Sequence, residues 1–434
     1  MKTAVYATFA LFATALPAAP IDGDWPGWRG PHHNGTGNAA GLPATWSTTE
    51  GVLWSAPLPG VNAATPAILK DRVYVAAIDD GSKDLLALGF DRKTGKPLWT
   101  RKVGVGGRTW RLRPGLENNM ASCSPVADAE RAVFLFATGD LAAFSPDGKP
   151  LWARNIAREH GSFEHLWGYG ASPLLFKDRL YIPVLRRDRP IQGKPQPGQT
   201  YESYLLAVDP KTGKDLWKHV RPSAAQDESL EAYSTPVPRE EEGHVEILLL
   251  GGDCITGHDP ATGRETWRWG DWNPSRVGHW RIVPSPLAAE GLVFVATPKK
   301  NPLFAVKPAG KGGAVVWQKT DVTPDVCTPL YYDRKIYALD GDRKRLAAYD
   351  PKTGKELASV DLPGKEVFRA SPTAADGRVY CINEDGTVSV LAAADLKPLA
   401  TIAMGDGPCR ASIALAGSQI VIRTGRTLYA VGKP

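Results

Sequence analysis

Five long segments of this sequence concentrate the residue types that recognise ligands or do chemistry. The segment 104–122 holds Trp110, Arg113, Glu117, Asn118 and Asn119, and 157–170 holds His160, His165, Trp167 and Tyr169. The segment 187–202 is basic at its start, 221–233 ends on Glu231 and Tyr233, and 271–283 carries Trp272, His279, Trp280 and Arg281. Asp325, Arg369 and Arg410 stand just before predicted strands. Ring faces for stacking, beside a few directed polar groups, are what a small-ligand or peptide site needs. The same residues can also tie long loops together, Arg to carboxylate and Trp under backbone. With both readings open, the candidates for a binding face are Trp110, Arg113, Asn118, Asn119, His165, Trp167, Tyr169, Glu231, Trp280, Arg281, Asp325, Arg369 and Arg410.

Several chemistries lack their residues. His160 and His165 lie five apart with no carboxylate at metal-site spacing, so each reads as an ordinary loop histidine. No Gly-x-Ser-x-Gly elbow, phosphate loop or His-Glu-x-x-His pair is present. The five cysteines include no Cys-x-x-Cys pair, which argues against zinc. The sequence therefore nominates no catalytic residue and no metal ligand. A net charge of +6 in short basic clusters, without a recognition motif, argues against nucleic acid as a partner.

The elements that would position these segments are read from a repeat. A unit runs Ser/Thr-Pro, a strand, a short turn, an alternating strand such as Val73-Tyr74-Val75, a third strand, Thr-Gly-Lys, then Leu-Trp. It starts at Thr65, Ser124, Ser172, Thr235, Ser285, Thr328 and Ser371, each followed by Pro, and at a degenerate Ser412-Ile413. Proline lacks an N–H and suits a strand start. In Asp91-Arg92-Lys93-Thr94-Gly95-Lys96, Gly supplies positive φ and Asp can bond the following backbone. Trp99, Trp152, Trp217, Trp267 and Trp317 open outer strands and are expected to pack against the neighbouring unit, while the sixth and seventh units offer Leu357 and Leu399 instead.

Four strands per unit and eight units predict an all-β, eight-bladed β-propeller of antiparallel blades. The boundaries are about 65–103, 124–156, 172–220, 234–270, 284–320, 327–362, 370–406, and 411–431 with 51–58. The last unit lacks an outer strand, and Gly51-Val52-Leu53-Trp54 has that pattern with no unit before it. The N- and C-terminal strands should therefore share the last blade and close the ring. Within each blade the first-to-second and third-to-fourth turns are short. The long insertions fall on the opposite face, around the mouth of the central funnel, where a small ligand or protein partner is expected.

Residues 1–19 read as a signal peptide: Lys2, an apolar run from Ala4 to Ala15, then small residues, with cleavage after Ala15 or nearer Ala19. Export to the periplasm or outside the cell follows, with no membrane span in the mature chain. Residues 20–50 form an arm, and 51–431 a single propeller, expected as a monomer. Among the cysteines, Cys123 and Cys327 fall across the ring from each other, and only Cys381 and Cys409, in adjacent blades, could bond; buried free thiols are the default.

From Trp46 to Val431 the Ser/Thr-Pro, Thr-Gly-Lys and Leu-Trp units resemble the pyrroloquinoline-quinone (PQQ) repeat superfamily. Trp28-Arg29-Gly30-Pro31 is similar to a segment of secreted members known chiefly by their repeats. The resemblance implies one of two activities. One is that of non-catalytic propellers of the BamB type, scaffolds of outer-membrane assembly. The other is that of quinoprotein dehydrogenases acting on alcohols or sugars with PQQ and Ca²⁺ in the propeller axis. The paired cysteines common in the dehydrogenases have no counterpart here, nor does the N-terminal lipid-anchor cysteine usual in BamB proteins. A binding or scaffold protein without a resident cofactor is the expectation, with PQQ and Ca²⁺ as the alternative.

Overall fold

The computed structural model describes residues 23–107, 119–195, 197–241 and 243–433. Eight four-stranded antiparallel sheets make an eight-bladed propeller. Blade 1 runs from axis to rim as Ala67–Leu69, Arg72–Ile78, Asp84–Asp91 and Pro97–Val105. Blades 2 to 7 begin at the axis with Val126–Ala127, Leu174–Phe176, Val237–Glu241, Leu287–Ala289, Leu330–Tyr332 and Thr373–Ala375. Blade 8 takes Ala414–Ala416, Gln419–Arg423 and Thr427–Gly432 from the C-terminal end and Val52–Pro57 from the N-terminal end. Ser55 pairs with Tyr429 and Ala56 with Leu428, so the ring closes through both ends of the chain as the sequence predicts.

The Ser/Thr at the blade starts have a common task. The Thr65 amide donates to the Ser124 hydroxyl at 2.9 Å, Ser124 to Ser172 at 2.9 Å, and Ser172 to Thr235 at 3.0 Å. Thr235 donates to Ser285 at 2.7 Å, Ser285 to Thr328 at 2.9 Å and Thr328 to Ser371 at 2.9 Å. The Ser412 amide reaches Thr65 at 3.0 Å across the closing seam. Each hydroxyl oxygen satisfies a buried amide that no strand partner reaches. The result is a belt of blade-to-blade hydrogen bonds around the axis.

The outer Trp and the Thr-Gly-Lys turn are two halves of one latch. Trp54, Trp99, Trp152, Trp217 and Trp317 each donate Nε1–H to a turn carbonyl of the next blade, Arg92, Pro146, Pro210, Pro260 and Pro351 respectively, at 2.8–3.2 Å. The turn Gly of that next blade lies against the indole: at Gly354, φ +67°, a Cβ would come within 2.7 Å of the Trp317 ring. Trp267 differs, donating to Glu246 of its own blade at 2.9 Å.

Blades 6 and 7 correct the sequence alignment by one residue. Leu357 and Leu399 are 46% exposed, matching Leu98 at 45%, and the Trp position is held by Ala358 and Ala400. Blade 7 compensates in its turn, where Leu396 stands at φ 61° in place of Gly and is buried among cluster residues that include Ala358. A small residue on one blade and a large one on the next fill the same space.

Hydrophobic clusters lie between the blades. One joins blades 7, 8 and 1 and also takes Trp25, Leu42 and Trp46 of the arm. All five cysteines are buried and free, so Cys381 and Cys409 form no bond. Among the described residues, no helix is long and apolar enough to cross a membrane.

Candidate ligand-binding cavity

Of the residues nominated from sequence, Trp110, Arg113 and Asn118 lie outside the described residues. The structure gathers most of the others into one network over blades 3 to 6. Glu231, fully buried, accepts from the Leu166 amide at 2.8 Å and the Tyr233 hydroxyl at 2.9 Å, and pairs with Arg187. Burial raises its carboxyl pKa, opposed by the bond to Arg187. The Trp167 amide donates to the Tyr233 hydroxyl at 3.2 Å, and its indole N–H to Glu228 at 2.8 Å. Arg281 lies 3.5 Å from Glu228 and 3.9 Å from Asp325, whose other oxygen accepts from the Lys299 amide at 3.0 Å. Trp280 joins through its backbone, donating to Ser229 at 2.7 Å.

His165 and Tyr169 form the floor of that network. Tyr169 donates to the Pro183 carbonyl at 2.7 Å. The His165 ring stands edge-on to Tyr169 and Tyr233 at 5.1 and 5.4 Å, fully buried. It lies near the carbonyls of Ala232, Phe163 and Leu185, but neither ring nitrogen reaches hydrogen-bonding geometry. Burial pushes its pKa down to about 3, so it is neutral. Elsewhere on this face Arg369 pairs with Asp342 at 2.9 Å and Arg410 with Glu384 at 2.5 Å. The Asn119 amide donates to the Val61 carbonyl while its oxygen accepts from Ala121 at 3.0 Å.

A quinone–calcium centre needs several oxygen donors free to converge on the metal. Here Glu228, Glu231, Asp325 and Glu384 are each held by an arginine. Among the described residues no three His, Cys, Asp or Glu side chains come close enough together to hold a metal ion. The described residues do not assemble such a centre, and Glu117 and Asn118 lie outside them.

A largely apolar concave space lies in the channel toward the short-turn face, and the arm shapes it. Trp25 pairs antiparallel with Ile68 of blade 1, with N–H···O bonds of 2.8 and 2.7 Å. The Pro26 carbonyl accepts from Ala127 of blade 2 at 2.8 Å. The chain then crosses the axis: the Gly35 carbonyl accepts from Ala374 of blade 7 at 3.0 Å, and Ala40 donates to Gly417 of blade 8 at 3.0 Å. Between these anchors Arg29 turns inward and donates to the carbonyls of Pro372, Pro329 and Asn34 at 3.0, 3.1 and 3.2 Å. Gly35, φ +90°, is required there, because any Cβ would collide with the Arg29 guanidinium.

Opposite the arm, blades 2 to 5 border a cavity of about 900 Å³. Its wall is largely apolar, with Phe176, Val237 and Ala289 from the inner strands facing Trp28 and His33 of the arm. The His33 ring meets Phe176 edge-on at 5.9 Å. Burial, then His32, pushes the His33 pKa down to about 4, and the residue is only partly exposed where it lines the cavity. Sequence reasoning missed these residues. Their signal was present in Trp28-Arg29-Gly30-Pro31, a conformationally special turn beside two bulky side chains in a segment outside every repeat.

A family model described as outer membrane protein assembly factor BamB matches residues 37–182, 201–334, 251–366 and 304–432. Tetrathionate hydrolase of Acidithiobacillus ferrooxidans is 27% identical over 184 residues, covering 39% of this chain and 30% of that protein. The match therefore spans less than a third of the curated relative's length. The quinohemoprotein alcohol dehydrogenase of Comamonas testosteroni superposes with a TM-score of 0.70 at 14% identity, covering 96% of this chain and 82% of the other. BamB of Moraxella catarrhalis superposes with a TM-score of 0.58 at 14% identity, covering 88% and 99%. At such identities the structural likeness concerns the fold, which enzymes and assembly factors share.

Proposed function

The chain belongs to the family described as outer membrane protein assembly factor BamB, and from that premise we propose that it is an exported, non-catalytic binding propeller. It holds a small ligand or a partner on a rigid ring and transforms neither. One observation carries this reading: Glu228, Glu231, Asp325 and Glu384 of the loop-rich face are each held by an arginine, while a preformed cavity lies in the axis. A general base must be free to take a proton from substrate. Glu231 instead accepts from Arg187, Leu166 and Tyr233, and His165 is fully buried, with a pKa near 3 that makes it a weak base. A concave, mainly apolar cavity with a few polar groups is the usual form of a small-ligand site.

The test is reconstitution of the mature protein with PQQ and Ca²⁺, followed by dye-linked assays on alcohols and sugars. No dye reduction above a protein-free control is expected; substrate-dependent reduction overturns the non-catalytic reading in favour of a quinoprotein dehydrogenase. Export rests on Lys2 and the apolar run Ala4 to Ala15. Mass spectrometry of protein from a secreting host should find an N-terminus shortly after Ala15 or Ala19, and a retained Met1 would overturn it.

A further inference from the structure

Five carboxylates border the axial cavity, and each already faces a cation. Asp24 lies 3.9 Å from Arg92, Asp128 3.5 Å from Arg131, Glu240 2.5 Å from Lys177 and Glu290 3.5 Å from Lys352, and Glu241 pairs with Arg239. Arg29, on the same wall, has the opposite character. It is 4% exposed, and its two terminal nitrogens donate only to neutral carbonyls. Its Nε has no hydrogen-bond partner, and among the described residues no carboxylate pairs with it. The titratable group whose field acts on it is Cys327, a thiol that burial keeps neutral.

Burial pushes the Arg29 pKa down to about 9, which leaves the group charged near neutral pH. A guanidinium surrounded by neutral acceptors in a low-dielectric interior carries an uncompensated charge. Such a charge favours an anion in the adjoining space far more than water would. The Trp28 ring lies against this guanidinium at 5.6 Å and continues the apolar wall toward Phe176. Charge and apolar surface thus meet at one end of the cavity.

We propose that the axial cavity binds a small organic carboxylate with an apolar, aromatic body. The carboxylate lies in the field of Arg29, and the body packs among Trp28, Phe176 and Val237. The proposal rests on the binding reading above and names the class of ligand. The cavity of about 900 Å³ is within the range of ordinary ligand sites and admits a ring system with a short acidic arm. Phosphate alone would leave the apolar wall in water, and a hydrocarbon would leave Arg29 uncompensated.

Calorimetry on the mature protein, with indole-3-acetate and the neutral indole-3-acetamide as probes, tests this. The acid should bind at least about tenfold more tightly than the amide, as the field of an uncompensated charge in low-dielectric surroundings requires. Arg29→Gln should reduce that preference to about twofold or less. Because Arg29 also holds three carbonyls of the fold, Ala289→Trp serves as a second variant. It narrows the cavity from the blade 5 wall, and should weaken binding of both probes at least about tenfold while leaving the melting temperature near that of the unaltered protein. Equal affinity for acid and amide, no saturable binding of the acid, or acid affinity unchanged by Ala289→Trp would each overturn the proposal. Dye reduction with PQQ would overturn the non-catalytic reading without altering these affinities, and a failure here leaves that reading standing.

Discussion

The loop-rich face and the short-turn face of the ring handle their carboxylates differently. Buried arginines bonded only to neutral groups occur on both, Arg186, Arg221 and Arg423 on the first and Arg29 on the second. On the first, long insertions bring together Arg187, Glu231, Glu228, Arg281 and Asp325, and these neutralise one another. On the second, the turns are short and a single inserted arm leaves one buried guanidinium without a counterion. Loop length shows where the chain has extra material. Whether that material forms a site depends on whether its polar groups close on themselves. A long loop buries backbone and side-chain polar groups that must be satisfied, so its arginines and carboxylates are consumed in holding it.

Variants on the two faces can break or sharpen this contrast. The largest effect is expected from Glu231→Ala, which strands Arg187, Tyr233 and the Leu166 amide. The loss should be about 3–5 kcal/mol, the range for removing one partner of a buried pair, measured by urea unfolding. A variant of unchanged stability that has lost ligand binding would instead make the loop-rich face the site.

On the opposite face Gly35→Ala should displace Arg29 and loosen the arm, costing about 1–3 kcal/mol from strain and lost bonds. It should also expose the arm between 23 and 50 to limited proteolysis, and resistance equal to that of the unaltered protein would show that the arm is not held through Arg29.

A smaller effect depends on pH. In the unfolded chain an imidazole takes a proton near 6.5, whereas His165 in the fold does so only near 3. Between those values the folded state binds fewer protons, so stability falls as pH is lowered from about 6.5. The slope from this group should be on the order of 1 kcal/mol per pH unit, and His165→Phe should flatten it in urea midpoints taken from pH 7 to pH 4. Smallest are Arg369→Ala and Arg410→Ala. Their part-exposed pairs with Asp342 and Glu384 should each contribute about 1 kcal/mol or less. A larger loss in ligand affinity than in stability would reopen that side of the funnel as a site.

Features that recur once per blade were readable from sequence. Ser/Thr-Pro marked each start because every blade needs a hydroxyl for its neighbour's amide, and Thr-Gly-Lys recurred because each turn lies beneath an indole. Closure was readable because Trp54 had no blade and the last unit had no outer strand. The Trp position in blades 6 and 7 was misread by one residue, since an exposed Leu precedes that position in most blades and Ala leaves no pattern. Contacts made once were illegible. Arg187 meets Glu231 across 44 residues, and Arg29 binds backbone carbonyls 300 and 343 residues away that any residue type would supply.

The arm has a consequence for how the ring comes apart. Blade 8 is the one place where separation needs no covalent bond to stretch, and the arm crosses the axis to fasten blades 1 and 2 to blades 7 and 8 on either side of it. It acts as a clasp on a belt. Contacts joining residues so distant in sequence carry a large loop-closure cost, so variants of the arm should speed unfolding more than they slow folding. The lifetime of the closed ring is then a kinetic property, set by how rarely the clasp lets go.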